Sequence, residues 1–177
     1  MYQKIYTRMP MYDEEAVQPM RDELIAYGFE EARTGEEVDH VLNETKGTVL
    51  MVINSVCGCA AGSARPGVGA ALQHKMIPDQ MVTAFAGQDH EAVEQVRQVH
   101  LKEYPPSSPS MALFKDGKVV YMMERSMIEG RRPEQIAAEL TRVFDQHCSK
   151  QGPSIPPEDF SKVMHAVACG STIPRAR

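Results

Sequence analysis

The sequence predicts an α/β fold: a mixed β-sheet flanked by helices on both faces, with an extra N-terminal helix and a C-terminal helical tail. Three observations carry this. Residues 48–56, TVLMVINSV, form an almost continuous apolar, β-branched run, the pattern of a strand buried on both faces. Runs of that kind alternate with helix-period segments, the order that crossover connections need. Lys115-Asp116-Gly117-Lys118 then joins two short apolar runs as a hairpin, adding antiparallel strands.

In order, residues 13–28 place Val17, Met20, Leu24 and Tyr27 at spacings of three and four, an amphipathic helix that stops at Gly28. Pro19 should confine that helix to its C-terminal part. A short strand is expected near residues 30–33. Thr34 with Glu37 makes a capping box for a helix whose apolar face is Val38, Val41 and Leu42, ending before Gly47. After the 48–56 strand, CAAGSARPGVGAALQHK reads as a helix that starts near Cys59 and kinks near Pro66. MVTAFAG (81–87) is a buried strand, and residues 90–104 a helix with Val93, Val96 and Val99 inward. PPSSPS is a loop before the hairpin. Residues 131–148 form the last strong helix, with Pro133 in its first turn and Ile136, Leu140, Val143 and Phe144 on one face.

The chain therefore divides into a domain at 1–148 and an appendage at 149–177, a Gly/Pro/Ser linker followed by a short amphipathic helix at Phe160, Val163, Met164 and Val167. That helix has three places to go: onto the domain, over a site, or into a homodimer interface. A net charge of −5 leaves no broad basic face for nucleic acid. Residues 1–16 lack the apolar core of a secretion signal, and no apolar run approaches the ~20 residues that span a bilayer. The expectation is a cytoplasmic protein with no membrane and no nucleic-acid partner. Closely spaced cysteines in that compartment are more often catalytic or metal-binding than structural.

The candidate site is VCGCAAG, residues 56–62. It falls where a buried strand ends and a helix begins, the edge at which α/β sheets build sites. A helix N-terminus offers unpaired N–H groups and a positive dipole end, which favour a thiolate. Cys57, nearest the strand, is the candidate nucleophile, and Cys59, in the first turn, the candidate resolving thiol. A disulfide across one residue closes a smaller ring than the usual two-residue spacing, so the couple should be labile and comparatively oxidising. Gly58 supplies backbone freedom for it. Two other readings stand beside this one. A non-catalytic metal-binding or metallochaperone domain would use the same pair, but needs further ligands from His74, His100, His147, Cys148 or the tail, none at tight ligand spacing. A partner-binding module would carry the cysteines incidentally. Arg65, about two turns along the helix, is expected to be solvated, and Cys169 to be an exposed tail thiol.

Ser108-Pro109-Ser110, just before a strand and a Lys-Asp-Gly-Lys turn, resembles the cis-proline segment of the thioredoxin superfamily. Together with NSVCGCAAGSARPGVGAAL (54–72), VTAFAGQDHEAV and IEGRRPEQIAAELTRVFDQHC, it makes residues 8–148 similar to the bacilliredoxin family. The resemblance implies a thioredoxin-like fold. It implies an oxidoreductase that removes bacillithiol, a low-molecular-weight thiol and co-substrate, from protein mixed disulfides, with weak disulfide-isomerase activity and no bound cofactor or metal. In that family's pattern Cys57 takes the adduct, Cys59 helps to resolve it, and Ser108, Pro109 and Gly58 meet the substrate. Cys148 falls where many members end and is a candidate third thiol. The Trp-Cys-Gly-Pro-Cys of thioredoxins is absent, and the chain has no tryptophan.

Overall fold

The computed structural model describes residues 8–167 and 172–176. In chain order the elements are α1 (Glu14–Ala26), β1 (Glu30–Glu31), α2 (Gly35–Glu44), β2 (Thr48–Asn54), a π-helical turn (Ala60–Ala64) continuing into α3 (Arg65–Ala71), β3 (Met76–Ile77) and β4 (Gln80–Phe85). There follow α4 (His90–Gln95) with a second π-helical turn (Val96–His100), β5 (Ser110–Lys115), β6 (Lys118–Met123), α5 (Arg125–Ile128), α6 (Pro133–His147), β7 (Lys150–Gln151) and α7 (Pro157–Phe160).

All seven residues of β2 are buried, which puts this strand at the centre of a five-stranded sheet ordered β1-β4-β2-β5-β6. β4 runs parallel to β2 and β1 parallel to β4, while β5 is antiparallel to β2 and to β6. Because side chains alternate along a strand, Leu50 and Val52 enter one core with α1, α3 and α6, and Val49, Met51 and Ile53 enter the other with α2 and α4. This is the mixed sheet with helices on both faces that the sequence predicts, in thioredoxin-like form. The β5–β6 turn has Asp116 and Gly117 at positive φ, as a two-residue hairpin requires. The Thr34–Glu37 capping box is formed. No helix among the described residues is long and apolar enough to cross a membrane.

Four expectations change. α1 runs through Pro19, its sixth residue: the one backbone bond given up there is outweighed by the buried Val17, Met20 and Leu24 stripe that spans it, and Asp13 caps the first turn. Val99 is 50% exposed: the π-helical turn at Val96–His100 adds a residue per turn and carries it off the apolar stripe. The expected kink at Pro66 takes the form of the other π-helical turn, in which the Arg65 N–H reaches back to the Ala60 carbonyl, next to a proline that has no N–H to give. In the tail the helix is a single turn at Pro157–Phe160, earlier than the apolar pattern suggested, and Met164 and Val167 stand in solvent. Phe160 and Val163 pack on the α1/α3/α6 core, and β7 pairs with β3 in a small ribbon that no local pattern announces.

Candidate active site

Three segments meet at one edge of the sheet because of strand direction. β2 ends there and leads into Cys57-Gly58-Cys59. β5, antiparallel to it, begins there after Ser108-Pro109, and the register Ile53↔Ser110 sets Pro109 alongside the end of β2. β6, antiparallel again, ends there and leads into Arg125. The Ser108-Pro109 peptide is cis, with Pro109 buried and Ser108 half-buried.

Cys57 stands at the head of the helix. Its carbonyl accepts the N–H groups of Ala60 and Ala61 (3.0 and 3.2 Å), and its sulfur receives the Ala60 N–H at 3.4 Å. Its own N–H goes to Ser55 Oγ (3.2 Å), and Ser55 N–H goes to Asn54 Oδ1 (2.8 Å). Gly58 is exposed and already helical. The Cys57 and Cys59 sulfurs face each other at 2.6 Å, both half-buried, both free thiols.

The two thiols are driven apart as acids. Burial alone would raise Cys57, but the hydrogen bonds from Cys59, Ser55 and the Ala60 N–H, with the Arg125 charge, outweigh it and hold Cys57 below the ordinary thiol value. Cys59 is pushed up to about 11, by burial first and then by its hydrogen bond with Cys57 and the charge there. Arg125 favours the thiolate at both positions and is itself favoured by them.

Arg125 is thus a site residue that sequence reading could not place. Its backbone N–H donates to Ser107 Oγ (2.7 Å), which ties the start of α5 to the Ser108-Pro109 turn. The Ser107 carbonyl in turn accepts from Arg97 and from Ser110 Oγ. The Glu129-Gly130-Arg131 turn is held against the dithiol helix by Ser63 Oγ, which donates to the Arg131 carbonyl (2.5 Å). Arg65 corrects the expectation of a solvated side chain: it is 1% exposed and paired with the fully buried Glu23. Its guanidinium also donates to Asn54 Oδ1 and the Ser55 carbonyl, just upstream of Cys57.

Cys148 is not brought to the pair. It caps the far end of α6 and bonds Thr48, the first residue of β2, whereas Cys57 follows the last. The seven residues of β2 separate them by roughly 20 Å. Burial pushes its thiol up to about 11. Cys169 lies outside the described residues. His74 pairs with Asp145, the buried His100 with Asp39, and the His147 carbonyl accepts from Lys115. Among the described residues no three His, Cys, Asp or Glu side chains converge as metal ligands.

A thioredoxin-like sheet with two cysteines at the head of its central helix defines a thiol–disulfide redox protein. The sequence model of the family described as disulphide isomerase matches residues 12–148. The chain is 49% identical over 138 residues to a bacilliredoxin of Koribacter versatilis, covering 78% of this chain and 94% of the relative. It is 48% identical over 147 residues to a bacilliredoxin of Halalkalibacterium halodurans, covering 82% of this chain and 100% of the relative. It is 50% identical over 136 residues to a bacilliredoxin of Cytophaga hutchinsonii, covering 77% and 99%. The chain belongs to this disulphide isomerase family, among relatives named bacilliredoxin.

Proposed function

We propose that the protein removes a low-molecular-weight thiol, bacillithiol, from mixed disulfides on other proteins. The Cys57 thiolate attacks the small-thiol sulfur of the mixed disulfide. The S–S bond breaks, the client sulfur leaves as a thiolate and takes up a proton, and Cys57 now carries the small thiol. Cys59 then loses its proton and attacks Cys57, releasing the small thiol and leaving a Cys57–Cys59 disulfide. Two small thiols then return the pair to thiols: one opens the disulfide as a Cys57 adduct, and the next attacks that adduct and leaves as the small-thiol disulfide; a dithiol reductant does the same in two steps. Ser108 and Pro109, with Gly58 exposed opposite, offer the client chain an edge to lie along in strand-addition mode. Weak disulfide isomerisation uses the same attack on a client disulfide. A reducing, cytoplasmic setting suits this couple.

The observation that carries this reading is two sulfurs 2.6 Å apart at the head of a helix, with Cys57 held below the ordinary thiol value and Cys59 raised above it. The test incubates the Cys59→Ala variant with protein–bacillithiol and protein–glutathione mixed disulfides and reads adducts by mass spectrometry. An adduct on Cys57 from the first substrate alone supports the specific reading. An adduct from both supports attack without bacillithiol selectivity, and none from either overturns the mechanism.

A further inference from the structure

Glu23 and Arg65 form an ion pair of 2.8 Å with side chains 0% and 1% exposed. Neither charge can stay dry without a full set of partners. Arg65 Nε donates to Glu23 Oε2, Nη1 to Asn54 Oδ1 and to the Ser55 carbonyl (both 3.1 Å), and Nη2 to the Ala166 carbonyl (2.7 Å). Glu23 in turn accepts the Ala166 N–H (3.1 Å) and faces His165 Nδ1 at 2.9 Å. One buried arginine therefore links the tail to residues 54–55, and the Ser55 hydroxyl holds the Cys57 N–H. The tail lies beyond residues 12–148, where the family match ends.

We propose that the tail segment at His165–Ala166 is a strap that positions the dithiol, and that Arg65 is the positioning residue through which it acts. The proposal rests on the reading of Cys57 as the attacking thiol. With the strap in place, Glu23 and Arg65 are satisfied and Arg65 fixes the backbone at Asn54–Ser55. Without it, Arg65 loses one acceptor and Glu23 two partners. The pair must then find water or new partners, and Ser55 is no longer fixed against Cys57. The charged and titratable groups that face Cys57 from elsewhere are Cys59 and Arg125.

The test uses full-length variants. Ala166→Pro removes the N–H given to Glu23, and His165→Ala removes a half-exposed side chain from the same carboxylate. Val167→Ala changes a solvent-exposed neighbour. Strap release is read as faster cleavage after the exposed Lys162 by a lysine-specific protease. Cys57 is read from its rate of alkylation against pH, with peptide mapping. The expected result for Ala166→Pro and His165→Ala is faster cleavage together with labelling of Cys57 at pH 6.5 slowed about twofold, as a rise of half a pKa unit gives once the gain in nucleophilicity is counted, and no longer slowed at pH 10. Arg65→Lys, which keeps the charge and loses the fork, should slow labelling the same way, and Val167→Ala should match the parent protein. A freed strap with an unmoved Cys57 profile overturns the proposal, as does cleavage that no strap variant accelerates. Labelling of another thiol first in the parent protein would instead overturn the attacking role of Cys57.

Discussion

Alkylation of the reduced protein at pH 7 should label Cys57 at least about tenfold faster than Cys59. A thiol at the ordinary value of 9.0 is about 1% thiolate at that pH, and Cys57 lies below that value. Cys59, at about 11, is about 0.01% thiolate. The thiolate ratio is therefore at least about 100. Nucleophilicity runs the other way: with a Brønsted coefficient of about 0.4–0.5, two pKa units return about tenfold to Cys59. The net advantage is about tenfold and grows as Cys57 falls further. Short pulses of iodoacetamide, quenched and mapped by peptide mass, measure both sites in one sample. Above about pH 11 both sulfurs are ionised and the order should invert, Cys59 being the stronger nucleophile. In Cys57→Ser, Cys59 should label faster than in the parent protein, because the hydrogen bond and charge that raise it after burial both come from Cys57. Equal labelling at pH 7, or Cys59 first, would refute the argument that burial of Cys59 and the hydrogen bonds to Cys57 separate the two acids.

Arg125→Gln should slow Cys57 labelling at pH 7 by up to about fivefold, the ~0.2–1 kcal/mol of an exposed ion pair, with the loss shrinking in high salt and vanishing at pH 10. Cys148→Ala should flatten the alkaline limb of a denaturation profile. The folded value of Cys148 is raised to about 11 from 9.0, so its contribution is complete below about pH 9 and lost as pH climbs through about 11, at most about 2–3 kcal/mol. An unchanged limb by urea titration would show that this thiol is not buried. Gly69→Ala drives a methyl group into the Tyr27 ring where α3 crosses α1. Overpacking of this kind costs about 1–3 kcal/mol, a melting-temperature drop of roughly 2–12 °C for a chain of this size, read by circular dichroism.

The parts of the fold that the sequence made legible are those written in local period. β2 shows as a two-face apolar run, α6 as a stripe of Ile136, Leu140, Val143 and Phe144, and the hairpin as Asp116-Gly117; each needs only its own neighbours to be read. Val99 escaped because a π-helical turn changes the period without changing the residue types. The position of Cys57 and Cys59 followed from strand and helix order, and the cis Ser108-Pro109 turn from its resemblance to the thioredoxin-superfamily cis-proline segment. The support around them did not follow. Arg65 and Glu23 are residue types that usually stay in water, and their partners lie far off in sequence: Glu23 to Arg65 spans 42 residues, and Ala166 to Glu23 spans 143. Arg125 meets the thiols only because β6 runs antiparallel to β5, a fact about pairing that no local pattern carries.

In the proposed mechanism the acidity difference also gives the pair its order of use. A resolving thiol that ionised early would compete with its neighbour for the client and would repel the thiolate beside it. Cys59 is kept protonated by burial and then by the hydrogen bond and charge of Cys57. Once Cys57 is bonded to a small thiol, its sulfur carries no charge and has no thiolate lone pair to hold the Cys59 proton. Two of the influences that raise Cys59 then vanish, while Arg125 continues to favour its ionised form. The first step thus lowers the barrier to deprotonation at the second sulfur without any movement of the fold, and the same contact that silences Cys59 in the free protein releases it when an adduct arrives.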